Sequence, residues 1–207
     1  MEITHFSNSF LSVRSGDTKL ICDPWVGVTS ENAWISHPIN THGEKIIKNI
    51  SPNFIYISHL HCDHLDLNLL KKLNKKNISI VIKKFKIPIL KKRLTKIGFR
   101  KIIEVESWKI KRLSKDISIT IVPQLSSNNE GLDNPIEYDI DTSIIIKSNN
   151  SKKVFYNNVD NPLVINDYRK IKKFVQKKMN SKIDICTFNV GAASEYPHCF
   201  LNIDRDK

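Results

Sequence analysis

The sequence predicts one α/β domain made of two β-sheets with helices on their outer faces. Three observations predict it. Short runs rich in Ile, Val and Phe recur along the whole chain as strands. Strands come first and then alternate with segments of helical period. No repeat, linker or low-complexity stretch divides the 207 residues, a length that one core can serve, so a single domain over 1–207 is expected.

Taken in order, residues 3–13 and 18–23 read as two strands around a Gly16-Asp17 turn. Residues 26–50 mix Gly, Ser, Asn, His and Pro with little periodicity and read as a long surface loop. Phe54-Ile55-Tyr56-Ile57 reads as a buried strand, followed by a helix that Asp66 can cap and that buries Leu69, Leu70 and Leu73. A strand over 78–82 precedes a helix opened by Pro88, with Leu90, Leu94 and Ile97 inward and Gly98 as its stop. Strands are predicted at 102–106, 117–122, 142–147 and 153–156. Pro162 opens a helix with Val164, Tyr168, Ile171 and Val175 as its core stripe, and Ile183 to Phe188 is a last apolar strand. The chain stops at Lys207 soon after it, which leaves room for a closing strand or helix beyond.

Composition narrows the function classes. Apolar residues make up 40% of the chain, which fits a folded globular domain. No apolar run reaches the roughly 20 residues of a membrane span, and the N-terminus lacks a secretory pattern, so no integral membrane association and a cytoplasmic location are expected. Cys22, Cys62, Cys186 and Cys199 are scattered without a Cys-x-x-Cys pair, which argues for free thiols. The net charge of +12 fits a nucleic-acid surface or an anionic substrate. The lysines lie mainly on polar helix faces without interleaved aromatics, in a chain rich in Lys, Asn and Ile throughout, so no nucleic-acid partner is expected.

The chemistry is concentrated in His59-Leu60-His61-Cys62-Asp63-His64, directly after a buried strand. At i, i+2 an extended backbone puts the imidazoles of His59 and His61 on one side. Asp63 and His64 follow where the chain turns toward a helix, and can serve a second position nearby. Imidazole and carboxylate suit a divalent metal, zinc first and iron or manganese as alternatives, in one or two ions. Asp160 reads two ways from the residues alone, as a helix cap before Pro162 or as a carboxylate ligand.

The segment Ser58 to Asp66 resembles the signature of the metallo-β-lactamase superfamily. Asp23-Pro24-Trp25 resembles an element of the branch that holds lactonase-like hydrolases, N-acyl-phosphatidylethanolamine phospholipase D and CMP-N-acetylneuraminate hydroxylase. Asn158 to Pro162 matches a strand end where that superfamily places a bridging aspartate. Gly191 to Pro197 is similar to a segment of the hydroxylase. The resemblance implies a four-layer αββα sandwich with the metal site at one edge. It makes His59 and His61 ligands of a first ion, Asp63 and His64 ligands of a second, and Asp160 a bridge.

The sequence departs from this pattern at one place. A third His is expected after the strand ending Ile121-Val122-Pro123, yet no His occurs between 65 and 197. Gln124 or Asn128, or water, would have to substitute, and one site would bind weakly. His198 reads as a late ligand or an ordinary loop residue. His37 and His42 read as lining the site mouth or as exposed loop polarity, and Trp25 and Trp34 as an apolar wall or plain packing. Asp23 reads as orienting a ligand His.

The expected activity is hydrolysis of an ester, lactone, amide or phosphoester in a small anionic metabolite, by metal-bound hydroxide, with Asp63 assisting proton transfer. The alternatives are a CMP-sialate-hydroxylase-like role in nucleotide-sugar or surface-glycan metabolism, and a degenerate binding protein without turnover. A Rieske centre needs Cys-x-His and Cys-x-x-His, and no Cys-x-x-His occurs here, so oxygenation would need a separate electron donor.

Overall fold

The computed structural model describes residues 1–29, 34–39, 41–124, 141–161 and 163–189. Strands β1 (Glu2–Ser7), β2 (Phe10–Ser15) and β3 (Thr18–Cys22) form an antiparallel meander. The first predicted strand is thus two. The chain reverses at Asn8, which takes φ +33°, a left-handed conformation that Asn tolerates better than most residues.

The described residues between 26 and 50 are more ordered than a loop. They contain a small hairpin, β4 (Val28–Thr29) with β5 (Trp34–Ile35), and helix α1 (Gly43–Ile50). Ile46, Ile47 and Ile50 recur at helical spacing, and Ile47 is buried. Gly43 opens the helix where a Cβ would lie 2.7 Å from Val26, so only Gly allows this close approach.

Next come β6 (Phe54–Tyr56), α2 (Leu67–Lys72), β7 (Ser79–Lys83), α3 (Ile89–Lys96) and β8 (Ile102–Val105). The first sheet has the order β1-β2-β3-β6-β7-β8, with β3, β6, β7 and β8 parallel. The second has β9 (Lys111–Arg112), β10 (Ile117–Pro123), β11 (Thr142–Ser148), β12 (Val154–Asn157) and β13 (Ile185–Thr187), in the order β13-β12-β11-β10-β9. Helix α4 (Ile165–Lys178) crosses between β12 and β13, which pair in parallel.

Alternation along the strands builds the layers. Ile55, Ile80 and Ile82 face the helices with Leu70, Leu90 and Leu94. Tyr56, Val81 and Leu20 face the second sheet and meet Ile119, Ile144 and Ile146. On that sheet's far face Ile145 and Tyr156 pack with Ile171 and Val175 of α4. The result is helix, sheet, sheet, helix. Val164, expected in the α4 stripe, is instead the N-cap residue and is 39% exposed. Among the described residues β13 is an edge strand, with Ile185 exposed rather than buried.

Candidate metal centre

The site forms where the ends of β3, β6, β10 and β12 meet the start of β11. The N–H of Asp23, just past β3, donates to the carbonyl of Tyr56 at the end of β6 (2.9 Å). Thr142 at the start of β11 donates through Oγ1 to the carbonyl of Ser58 (2.9 Å), and so ties the second sheet to the His segment. Beyond β6 the carbonyl of His61 accepts from the N–H groups of His64 (3.0 Å) and Leu65 (2.8 Å). This turn carries Asp63 and His64 round to face His59.

The side chains of His59, His61, His64 and Asp160 lie close together, whereas Asp63 enters neither group of ligand atoms within 4.8 Å of one another among the described residues. His59 Nε2 and His61 Nδ1 are 2.8 Å apart. His64 Nε2 lies 2.9 Å from Asp160 Oδ2 and 3.6 Å from Asp63 Oδ2. The rings of His59 and His64 are 4.2 Å apart. Asp160 arrives from about a hundred residues away because Val159 adopts φ +55°, a costly conformation for a β-branched residue that recurs at functional sites.

Below these groups lies a buried relay. Asp23, fully buried, accepts from Ser58 N–H (2.7 Å) and from Ser58 Oγ (2.7 Å). Its Oδ2 is also 3.1 Å from His64 Nδ1. Since Ser58 Oγ gives its proton to Asp23, it can only accept from His59 Nδ1 (2.9 Å). One carboxylate therefore sets both rings, His64 directly and His59 through Ser58. Both Nδ1 atoms carry protons and both Nε2 atoms face the site.

Electrostatics are tense among these groups. Burial, and then the neighbouring His64 and His61, hold His59 far below the ordinary imidazole range. Burial acts the same way on His64, but its hydrogen bonds to Asp160 and Asp23 outweigh it and raise the ring well above that range. Burial raises Asp63, and pushes Asp141 up to about 6. For Asp160 burial is outweighed by the His64 hydrogen bond, and its carboxyl is lowered. Among the described residues, Asp63 Oδ1 and Asp141 Oδ1 are buried without a hydrogen-bond partner. Buried carboxylate oxygens without donors, one of them Asp141 Oδ1 at 3.5 Å from His59 Nε2, are what a bound cation would satisfy, so these residues fit a metal.

Asp141 was missed by sequence reasoning. Its Oδ1 lies 3.5 Å from His59 Nε2, and its N–H donates to Gln124 Oε1 (3.3 Å). The ligand atoms of His59, His61 and Asp141 lie within 4.8 Å of one another, as do those of His59, His64 and Asp160. The signal was the strand beginning at 142: Pro123 pairs with Thr142, so the residue before that strand sits opposite Gln124, at the edge where a third ligand was sought. Gln124 is placed beside Asp141 rather than in either ligand group. His37 and His42 are exposed and enter neither group among the described residues. Trp25 is buried, with its carbonyl 3.5 Å from Ser7 Oγ. The side chain of Trp34, together with Ser127, Asn128, Pro162, His198 and the segment 191–197, lies outside the described residues.

No protein-family profile matches the sequence. A protein of Mycolicibacterium smegmatis named as a Rieske 2Fe-2S iron-sulfur protein is 27% identical over 105 residues, which is 50% of this chain and 20% of that protein. The cytidine monophosphate-N-acetylneuraminic acid hydroxylase of Cricetulus griseus is 31% identical over 85 residues, 40% of this chain and 15% of that one. The chain thus spans about a fifth or less of the length of these relatives. Among solved structures, a protein of Veillonella parvula described as a metal-dependent hydrolase superposes with TM-score 0.63 at 15% identity, over 86% of this chain and 68% of that one. CmlA of Streptomyces venezuelae, a diiron β-hydroxylase, gives 0.56 at 14%, over 82% and 31%. Two facing sheets with outer helices, a His-rich loop after the parallel strands and these superpositions agree: the chain has the metallo-β-lactamase fold.

Proposed function

We propose that the chain is a metal-dependent hydrolase of small, anionic substrates. His59 and His61 would hold a first divalent ion, Asp63 and His64 a second, with Asp160 as a further carboxylate ligand. The observation that carries this reading is the convergence of two Nε2 atoms, with their tautomers preset by Asp23, on carboxylates: His59 on Asp141 Oδ1, which lacks a donor among the described residues, and His64 on Asp160 Oδ2 and Asp63 Oδ2. Bound metal would supply the Lewis acid that acidifies water and balances charge developing on a substrate oxygen. Asp63 takes the proton of the attacking water at Oδ1, which has no competing partner. Asp23 and Ser58 hold His59 and His64 in register so that no reorganisation is needed during the reaction. The surplus of basic residues favours an anionic substrate by raising its local concentration.

A second reading, a hydroxylase of nucleotide-sugar or surface-glycan metabolism supplied with electrons by another protein, is favoured by the alignment with the Cricetulus griseus enzyme. Elemental analysis of wild type and His59→Ala/His61→Ala, followed by lactone and phosphodiester assays, tests the first reading. CMP-sialate with a reductase system is assayed in parallel. Metal in wild type but not in the double variant, with hydrolytic turnover, is the expected result. Equal metal in both would overturn the ligand assignment, oxygen-dependent hydroxylation would select the second reading, and silence in both assays would mark a non-catalytic binder.

A further inference from the structure

We propose that Asp141 takes the coordination place of the missing third imidazole, and that this exchange makes the first metal position an iron site rather than a zinc site. The inference rests on the metal reading above and adds to it a ligand and a metal class.

Placement comes first. Asp141 stands at the start of β11, across the β10–β11 pair from Gln124, and Gln124 Oε1 accepts its backbone N–H. The amide that might have replaced imidazole thereby anchors the carboxylate instead. Asp141 Oδ1 is buried, has no hydrogen-bond donor, and points at His59 Nε2 from 3.5 Å. Its ligand atom lies within 4.8 Å of those of both His59 and His61.

Donor chemistry comes second. Two imidazoles and one carboxylate with open positions serve non-haem iron(II) and catalytic zinc alike, whereas a third imidazole or a thiolate favours zinc, so the donor set admits iron and charge must choose. Cys62 sits inside the motif, yet neither ligand group among the described residues includes a thiol. Charge accounting makes that choice. Asp63, Asp141 and Asp160 bring three negative charges to two metal positions, one more than a chain with imidazole at Asp141 would bring. In a site of low dielectric that extra charge favours the more highly charged ion, and so stabilises iron(III) over iron(II). Zinc has no second oxidation state and gains nothing comparable from it.

The test strips the full chain with chelator and titrates it against a chromophoric chelator, with iron(II) under nitrogen and with zinc. Wild type is compared with Asp141→Asn, Asp141→Glu, Asp141→His and the His59→Ala/His61→Ala double variant. Asp141→Asn is expected to weaken iron at one position at least roughly tenfold, because loss of even an outer-shell partner costs 10- to 100-fold. Asp141→Glu keeps the charge and retains iron. Asp141→His shifts preference toward zinc and raises the iron(III)/iron(II) potential. An unchanged zinc-to-iron ratio and potential in Asp141→His would overturn the proposal, as would wild-type iron affinity in Asp141→Asn. If the Asp141 variants bind like wild type while the double variant loses metal, this inference alone fails. If the double variant also binds like wild type, the metal reading itself fails. Should Asp141→Asn not fold, the Asp141→His comparison decides.

Discussion

Asp23 shows how much one buried residue can govern. Three donors converge on its carboxylate, and two of them lead to imidazoles of the candidate metal centre. Its own φ of +41° is tolerated because Asp, like Asn, enters the left-handed region more readily than larger side chains. Asp23→Asn leaves the shape but replaces one oxygen with a donor group, which then opposes either Ser58 or His64. A stability loss on the order of 1–3 kcal/mol is expected in denaturant unfolding, from the mispaired buried groups. Ser58→Ala should be milder in stability, since Asp23 keeps His64 and the Ser58 N–H. It removes only the acceptor that fixes His59, so metal affinity should fall by about 10- to 100-fold while His64 keeps its tautomer. Calorimetric metal titration with nitrogen NMR of the two rings separates these outcomes. A Ser58→Ala protein with unaltered affinity and an unaltered His59 tautomer would remove the relay from the account.

At the scale of elements, α2 links the centre to the first core. It follows the His segment after only two residues, Leu65 and Asp66, and it is short, Leu67–Lys72. So short a helix is not stable by propagation and depends on its cap and its packing. Asp66 supplies the cap: Oδ1 accepts from Leu69 N–H at 2.8 Å. Leu69 and Leu70 supply the packing. Asp66→Ala should cost about 1 kcal/mol, as other N-cap deletions do, and should loosen the turn that holds Asp63 and His64. The predicted signature is a lower unfolding midpoint together with weaker metal binding at one position. Loss of stability with no change in binding would mean that the turn is held by the His61 carbonyl alone. The cap and leucine stripe of α2 were legible in the sequence because they are local. Helix α1 was not, since its Ile face begins at a glycine whose reason, close contact with Val26 and Leu69, is tertiary.

Across the whole molecule a second anchor sits away from the metal centre. Asp116, before β10, accepts from Asn150 Nδ2 (2.8 Å), Thr18 Oγ1 (3.1 Å) and Asp17 N–H (3.1 Å). It thereby pins the β2–β3 turn of one sheet to the β11–β12 turn of the other. Asn150's amide, then Thr18 and the Asp17 N–H, hold its carboxyl below the ordinary range. A depressed carboxylate contributes stability that is complete above its unfolded pKa and is lost as pH falls through the folded one. Melting temperatures measured from neutral to acid pH should therefore decline more steeply in wild type than in Asp116→Asn, and the two curves should approach each other at the acid end. Parallel curves would show that this carboxylate does not contribute to acid sensitivity. Gly16 belongs to the same anchor: with φ +55° and a Cβ position 2.6 Å from the Asp116 carboxyl, it admits no side chain.

The sequence by itself determined the two-sheet, four-layer plan, because alternation of Ile and Val along strands and the capped leucine stripe of a helix are short-range patterns. It also singled out His59, His61, Asp63 and His64 as candidates, which needs only two-residue spacing on a strand end followed by a turn. Tertiary structure decided the rest of the centre. Asp160 has two readings in the sequence, and beyond Val159's left-handed backbone its carboxylate lies 2.9 Å from His64 Nε2. Asp141 carried no motif at all and became a candidate only when β10 and β11 paired in a register that set it opposite Gln124. Asp23's reach to His59 runs through a serine hydroxyl whose proton can go only one way. Register, burial and the direction of a shared proton arise from contacts between distant segments, and no local pattern encodes them.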